Sequence, residues 1–169
     1  MTDTTPSGRG PIGEGGPADP GPVVIRAARS SDVNKLAAIL AAGSLRGGED
    51  PSDLAPYQAA LNEIIATPGN EVLVSEVGGR VVGMCQLLIF RHLQERGGRC
   101  AEIESMHVET GHRSTGIGSA LLAAAVARAA ETGCYRVQLT SNKSRPAAHR
   151  FYERHGFVAS HEGYKRYLP

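Results

Sequence analysis

The chain has 169 residues, with 18 Lys+Arg against 17 Asp+Glu and a formal net charge of +1; apolar residues make up 41% and charged residues 21%. That length suits one domain, or one domain and a tail. The balanced charge excludes the strongly basic surface that holds a protein to nucleic acid by bulk electrostatics. No run of about 18 apolar residues is present, so no transmembrane helix or membrane partner is expected.

The first residues also lack the basic start and apolar stretch of a secretory signal. Cys85, Cys100 and Cys134 are odd in number and widely spaced, which is neither a disulfide framework nor a metal knuckle. A reducing cytoplasm is the expected setting, with the three cysteines as small buried hydrophobes.

Residues 1–22 contain six Gly and five Pro. Such a stretch cannot bury enough surface to offset its ordering entropy. It is expected to be a disordered tail, leaving residues 23–169 as one domain. That domain opens with a β-branched run, Val23–Arg26, read as a strand. Ser30, Ser31 or Asp32 offers an N-cap for a helix through Leu36, Ile39 and Leu40 that stops at Gly43. Residues 44–55 form a loop, and a second helix runs from Pro56 to Ala66. Strands over Glu71–Val77 and Arg80–Phe90 flank a Gly78-Gly79 hairpin turn. A third long strand covers Cys100–Val108. An Ala-rich amphipathic helix over residues 116–131 ends at Gly133. Tyr135–Thr140 reads as a strand and Pro146–His155 as a helix, with Gly156 as its C-cap. Phe157–Ala159 and Tyr164–Leu168 close the chain as short strands. The order β-α-α-β-β-β-α-β-α-β-β predicts an α/β domain. Its mixed, mostly antiparallel sheet has six to seven strands, with about four helices.

Arg113-Ser114-Thr115-Gly116-Ile117-Gly118-Ser119 lies between a predicted strand and a predicted helix. Small residues there let backbone N–H groups approach an anion, and the helix start adds its positive dipole end. A Walker loop needs Lys after its second glycine, where Ile117 stands. The dinucleotide fingerprint needs a third glycine where Leu121 stands. A phosphate cradle of another kind, or a purely structural glycine turn, remains.

The Arg113-x-x-Gly116-x-Gly118 pattern resembles the signature of the GNAT N-acetyltransferase family. Ile103–Val108 resembles the strand before that loop. Asn142 and the Ala148–Phe157 run, with its Phe151-Tyr152-x-x-x-Gly156-Phe157 segment, resemble the second half of the family's cofactor site. The order of elements agrees with the family fold over residues 23–168. The resemblance implies transfer of an acetyl group from acetyl-CoA directly to an amine, with no metal. It implies that the N–H groups of Arg113, Ser114, Thr115, Gly116, Ile117, Gly118 and Ser119 hold the pyrophosphate. The pantetheine arm is implied to lie along Met106-His107-Val108, where the third long strand splays from Tyr135–Thr140, with Asn142 on the pantetheine side. A backbone N–H near Met106 or His107 would polarise the thioester carbonyl. Tyr152 is implied to protonate the leaving thiolate. The family's bend in that strand also leaves His107 able to face the substrate cleft. Homodimers occur among relatives, so a homodimer is compatible with the resemblance.

The chemistry itself calls for proton handling. An alkyl amine has a pKa of about 10.4 and is mostly protonated at pH 7, so a base must act directly or through water. Glu102 and Glu104 are the candidates, two apart on the third long strand, so that Glu102, Glu104 and Met106 are expected on one face. Glu104 resembles the acidic residue of polyamine-type members and Glu102 the glutamate of histone-type members; Glu104 is preferred. No metal-ligand cluster and no nucleophile elbow is present. The 44–55 loop carries Glu49, Asp50 and Asp53, an acidic rim that suits a cationic acceptor or is simply solvated. The expected function is an N-acetyltransferase for a primary amine of a small molecule. A protein N-terminal or lysine acetyltransferase, or a non-catalytic acyl-CoA-binding regulatory module, is the alternative.

Overall fold

A computed structural model of the chain describes residues 22–168. The predicted tail lies, apart from Pro22, outside the described residues. Five strands and five helices follow one another: β1 (Val24–Ala27), α1 (Val33–Gly43), α2 (Ala55–Ala66), β2 (Asn70–Val77), β3 (Arg80–Arg91), the single turn α3 (Gln94–Gly97), β4 (Arg99–Val108), α4 (Ile117–Glu131), β5 (Cys134–Leu139) and α5 (Pro146–Arg154). They form one sheet in the order β1-β2-β3-β4-β5. The first three pairings are antiparallel and β4–β5 is parallel. Gly78 and Gly79 both take positive φ, 55° and 78°, the conformation that a tight two-residue hairpin turn requires. The parallel step needs a crossover, and α4 supplies it.

The sheet is covered on both faces. Leu73, Cys85, Leu87, Ala101 and Ile103 pack against Leu121, Leu122, Ala125 and Ala129 of α4, with Phe151 and Tyr152 of α5 at the margin. On the other face Val72, Val74 and Met84 meet Val33, Leu36 and Ile39 of α1 and Leu61 of α2. Period-2 alternation in the strands and 3.6-residue spacing in the helices create these two layers. Cys85 and Cys100 are fully buried, as expected, whereas Cys134, at the start of β5, is only half-buried.

Two expectations are corrected. The sheet has five strands, not six to seven, because residues 157–168 form none. A strand needs a ladder partner and a buried face. Val158, Tyr164, Tyr167 and Leu168 are exposed by 62–87%, and Glu162, Lys165 and Arg166 interrupt any apolar face. The second correction concerns β4. Gln86 pairs with Glu104 and Met84 with His107, so Ser105 and Met106 together oppose Cys85. This is a β-bulge, and Ser105 carries it at φ 50°. The extra residue breaks the alternation. Met106 turns to the α4/α5 face and packs on that core, while His107 takes the place expected for Met106 beside Glu102 and Glu104.

Candidate active site

Pairing between β4 and β5 ends at Ile103–Leu139. Beyond that point Glu104–Val108 keeps its β3 ladder but, among the described residues, has no strand on its β5 side. The two strands part there, as expected, and the open edge presents main-chain groups with the spacing of a β-ladder. The α4/α5 layer closes the opening on one side and α1 on the other.

The glycine loop stands at the top of that edge. Ser114 and Gly116 take positive φ, 63° and 88°, and Gly116 caps α4. Ala120 N–H makes the first ladder bond of the helix, to Gly116 O at 3.0 Å. The N–H groups of Ser114 to Ser119 find no acceptor among the described residues, whereas the Arg113 N–H, expected to join them, is spent on Thr110 O at 3.3 Å. A Cβ on Gly116 would meet nothing within 4 Å, so the space above it is open, whereas one on Gly118 would reach the Phe151 ring at 3.6 Å. Unused donors, left-handed turns and a helix start make a concavity for an anion. The fit to a pyrophosphate is good. Thr115 Oγ1 and Arg113 Nε instead brace the loop, donating to His112 O at 2.7 Å and Val108 O at 2.9 Å.

The carboxylates differ. Glu102 accepts a hydrogen bond from Gln138 Nε2 at 3.0 Å. Among the described residues Glu104 has no such bond, so its carboxylate is open to a ligand. Tyr152 reaches the opening from α5, with its ring 5.2 Å from Phe151 and 5.9 Å from Phe157. Burial raises its pKa, Cys85 and Glu104 add to this, and Arg145 opposes them. The phenol therefore stays protonated at neutral pH and can donate. Gly156, at φ 84°, ends α5 as expected: the Phe157 and Gly156 N–H groups return to Tyr152 O and Glu153 O. Asn142 uses Oδ1 to accept from Ser144 N at 2.9 Å, so its side chain builds the turn before α5.

Arg145 and Gly43 are neighbours of the opening that the sequence did not mark, whereas His107 faces a cleft as expected. Arg145 Nη2 donates to Gly43 O at 2.5 Å, clasping the start of α5 to the end of α1. His107 lies against Gly43 and lines a cleft of about 250 Å³ with Ala38, Val108 and Arg113. No local signal marks Arg145 or Gly43, since the contact joins positions 102 apart. In the 44–55 loop, Glu49 accepts from Tyr57 Oη at 2.7 Å, Asp50 from Ser52, and Asp53 from Ala55 N. The acidic rim is thus largely occupied in building its own turns. Arg46 of that loop sits 3.6 Å over the Tyr167 ring.

A strand that parts from its parallel neighbour beside a glycine loop rich in free donors is the architecture of acyl-CoA-dependent acetyltransferases. The chain belongs to the acetyltransferase (GNAT) family, whose sequence model matches residues 40–157. An uncharacterised N-acetyltransferase of Mycobacterium tuberculosis is 32% identical over 100 residues, which is 59% of this chain and 60% of that protein. The aminoalkylphosphonate N-acetyltransferase of Salmonella typhimurium is 40% identical over 83 residues, 49% of this chain and 53% of that one. The matches thus span a little over half the length of these curated relatives. A solved structure described as a transcriptional regulator from Bacillus halodurans superposes with a TM-score of 0.82 at 38% identity, over 86% of this chain and 99% of that one. An aminoglycoside N-acetyltransferase solved with CoA shares the fold at a TM-score of 0.75 and 14% identity, over 89% and 97%. No described helix is long and apolar enough to cross a membrane.

Proposed function

We propose that the chain transfers the acetyl group of acetyl-CoA directly to a primary amine of a small molecule. The observation that carries this reading is the meeting, at one opening, of an unpaired β4 edge, a loop of unused N–H donors, a free carboxylate and a protonated phenol. The N–H groups of Ser114–Ser119 would hold the pyrophosphate, with Arg113 adding positive charge at the mouth. The main chain of Met106, His107 and Val108 would take the pantetheine arm as a strand takes its neighbour. Acetyl-CoA, when bound, supplies an activated thioester.

Glu104 draws in the ammonium and removes a proton from it, directly or through water. Glu102, fixed by Gln138, adds negative charge beside it. Tyr152 donates its hydroxyl proton to the departing sulfur. The similarity to the aminoalkylphosphonate enzyme supports a small aminated acceptor. The Bacillus protein described as a transcriptional regulator supports a second reading, a regulatory module that binds the cofactor without turnover.

The two are separated by incubating the protein with acetyl-CoA and a panel of aminoalkylphosphonates, polyamines, aminoglycosides and peptide amines, then detecting free CoA. Thiol release with at least one small amine, and a product heavier by one acetyl group, is expected. Tight acetyl-CoA binding with silence across the panel selects the regulatory reading.

A further inference from the structure

We propose that the imidazole of His107 is a further catalytic group of this transfer, taking the second of the two protons that the amine must lose; the inference rests on the acetyltransferase reading above. Converting R–NH3+ to an N-acetyl amide removes two N–H protons. One ends on the sulfur of CoA and one leaves as H+. Glu104 accounts for the first removal. The second falls due as the nitrogen–carbon bond forms and the carbon–sulfur bond breaks, because a nitrogen that stays cationic is expelled more readily than the thiolate.

The bulge at Ser105 makes Glu104 and His107 consecutive side chains on one face of β4. In an unbroken strand His107 would point to the opposite face. Its Nδ1 is pressed against Gly43, where an added Cβ would lie 2.1 Å away. The end of α1 is therefore cut back to make room for this ring. The ring lines the cleft bounded by α1, β4 and Arg113, and among the described residues it finds no hydrogen-bond partner that would hold a charge on it.

Its charge state suits a proton acceptor. Burial, then Arg145, then Arg113 lower its pKa from the ordinary histidine value, and Glu49 alone pushes the other way. Glu109 in the same cleft is paired with Lys35. The α1 residues of the cleft are Ala38, Ile39, Ala42 and Gly43, which carry no charge. The ring is thus neutral at pH 7. In turnover the amine N–H bond breaks and Nε2–H forms, while the Tyr152 proton passes to sulfur. Solvent then carries the proton from the imidazolium to the Tyr152 phenolate, and Glu104 gives its own proton to bulk water. The books close on one amide, one thiol and one H+.

The test compares wild type, His107→Gln and Gly43→Ala by steady-state thiol release across pH, with acetyl-CoA affinity from calorimetry. For His107→Gln we expect kcat lower by about 100-fold, KM and Kd for acetyl-CoA within about twofold of wild type, and loss of the part of the acidic limb of kcat that the imidazole sets. In wild type that limb lies below about pH 6.5. Arg145→Gln, which removes a neighbouring cation, moves it upward. Gly43→Ala is compatible with a helix and substitutes no proposed catalytic residue, yet its methyl displaces the His107 ring, so kcat falls while the fold persists. Wild-type kcat and acidic limb in His107→Gln would overturn the inference and leave the acetyltransferase reading standing. If that variant fails to fold, unchanged kcat in Gly43→Ala overturns it equally. Silence of the wild type with every amine sinks the reading and this inference together.

Discussion

Tyr152 links packing to chemistry at the level of one side chain. Its ring is held between Phe151 and Phe157, and its hydroxyl finds no hydrogen-bond partner among the described residues. Removing only that oxygen keeps the packing, so Tyr152→Phe is expected to lower kcat by about 100-fold with acetyl-CoA affinity and melting temperature near wild type. Steady-state thiol release beside calorimetry checks this, and unchanged turnover across pH would hand the proton to water instead. Residues of this kind were legible because they sit in contiguous spacing: Arg113, Gly116 and Gly118 in one loop, Tyr152 four before Gly156. Glu104 was legible as a candidate, but its freedom was not, since that depends on Gln138 engaging Glu102 from another strand. Asn142 shows the reverse, a residue in the expected place whose side-chain oxygen is taken by its own turn.

Strand β4 and helix α4 decide the site at the next scale. The bulge in β4 changes which side chains face the acceptor. Nothing in Glu102–His107 announces it, because a bulge is set by how β3 pairs, and Ser105 is not the glycine that a left-handed φ favours. Gly116 is more transparent: its φ of 88° and its position before α4 match the demand for a glycine at a helix start that must stay open. The two missing terminal strands mark the limit of local propensity. Phe157–Ala159 and Tyr164–Leu168 have β-forming residues, yet β pairing depends on non-local partners, and among the described residues β5 is laddered to β4 alone. Helix α4 holds the cradle by burying Leu121, which is 0% exposed, with Leu122 and Ala125 against the sheet. Leu121→Ala leaves a cavity there and is expected to cost about 2–5 kcal/mol. Urea unfolding measures it, and a loss under 1 kcal/mol would mean that the sheet, not α4, anchors the loop.

Across the whole molecule, the balanced charge conceals a division. Residues 1–112 hold 9 basic and 14 acidic side chains, and residues 113–169 hold 9 basic and 3 acidic. The division falls at Arg113, the first residue of the cradle, so the half that would receive a polyanionic cofactor is the basic one. The acidic half includes Glu102 and Glu104 at the opening, and the loop carboxylates that engage their own turns. Apart from the single turn α3 and the two missing terminal strands, the order of elements and the parting of β4 from β5 were readable in advance, because each rests on local spacing or on a resemblance spanning the domain. The clasp of Arg145 on Gly43 was not, since it exists only once α1 and α5 meet across the sheet.

The central claim is that the glycine loop binds acetyl-CoA through the backbone donors of Ser114–Ser119. Calorimetric titration of acetyl-CoA into wild type and Gly118→Glu tests it most directly, because the substitution puts a carboxylate at the donor-rich start of α4. Saturable one-to-one binding by wild type, and none by a folded Gly118→Glu, is expected. Equal affinity in the two proteins would contradict the account.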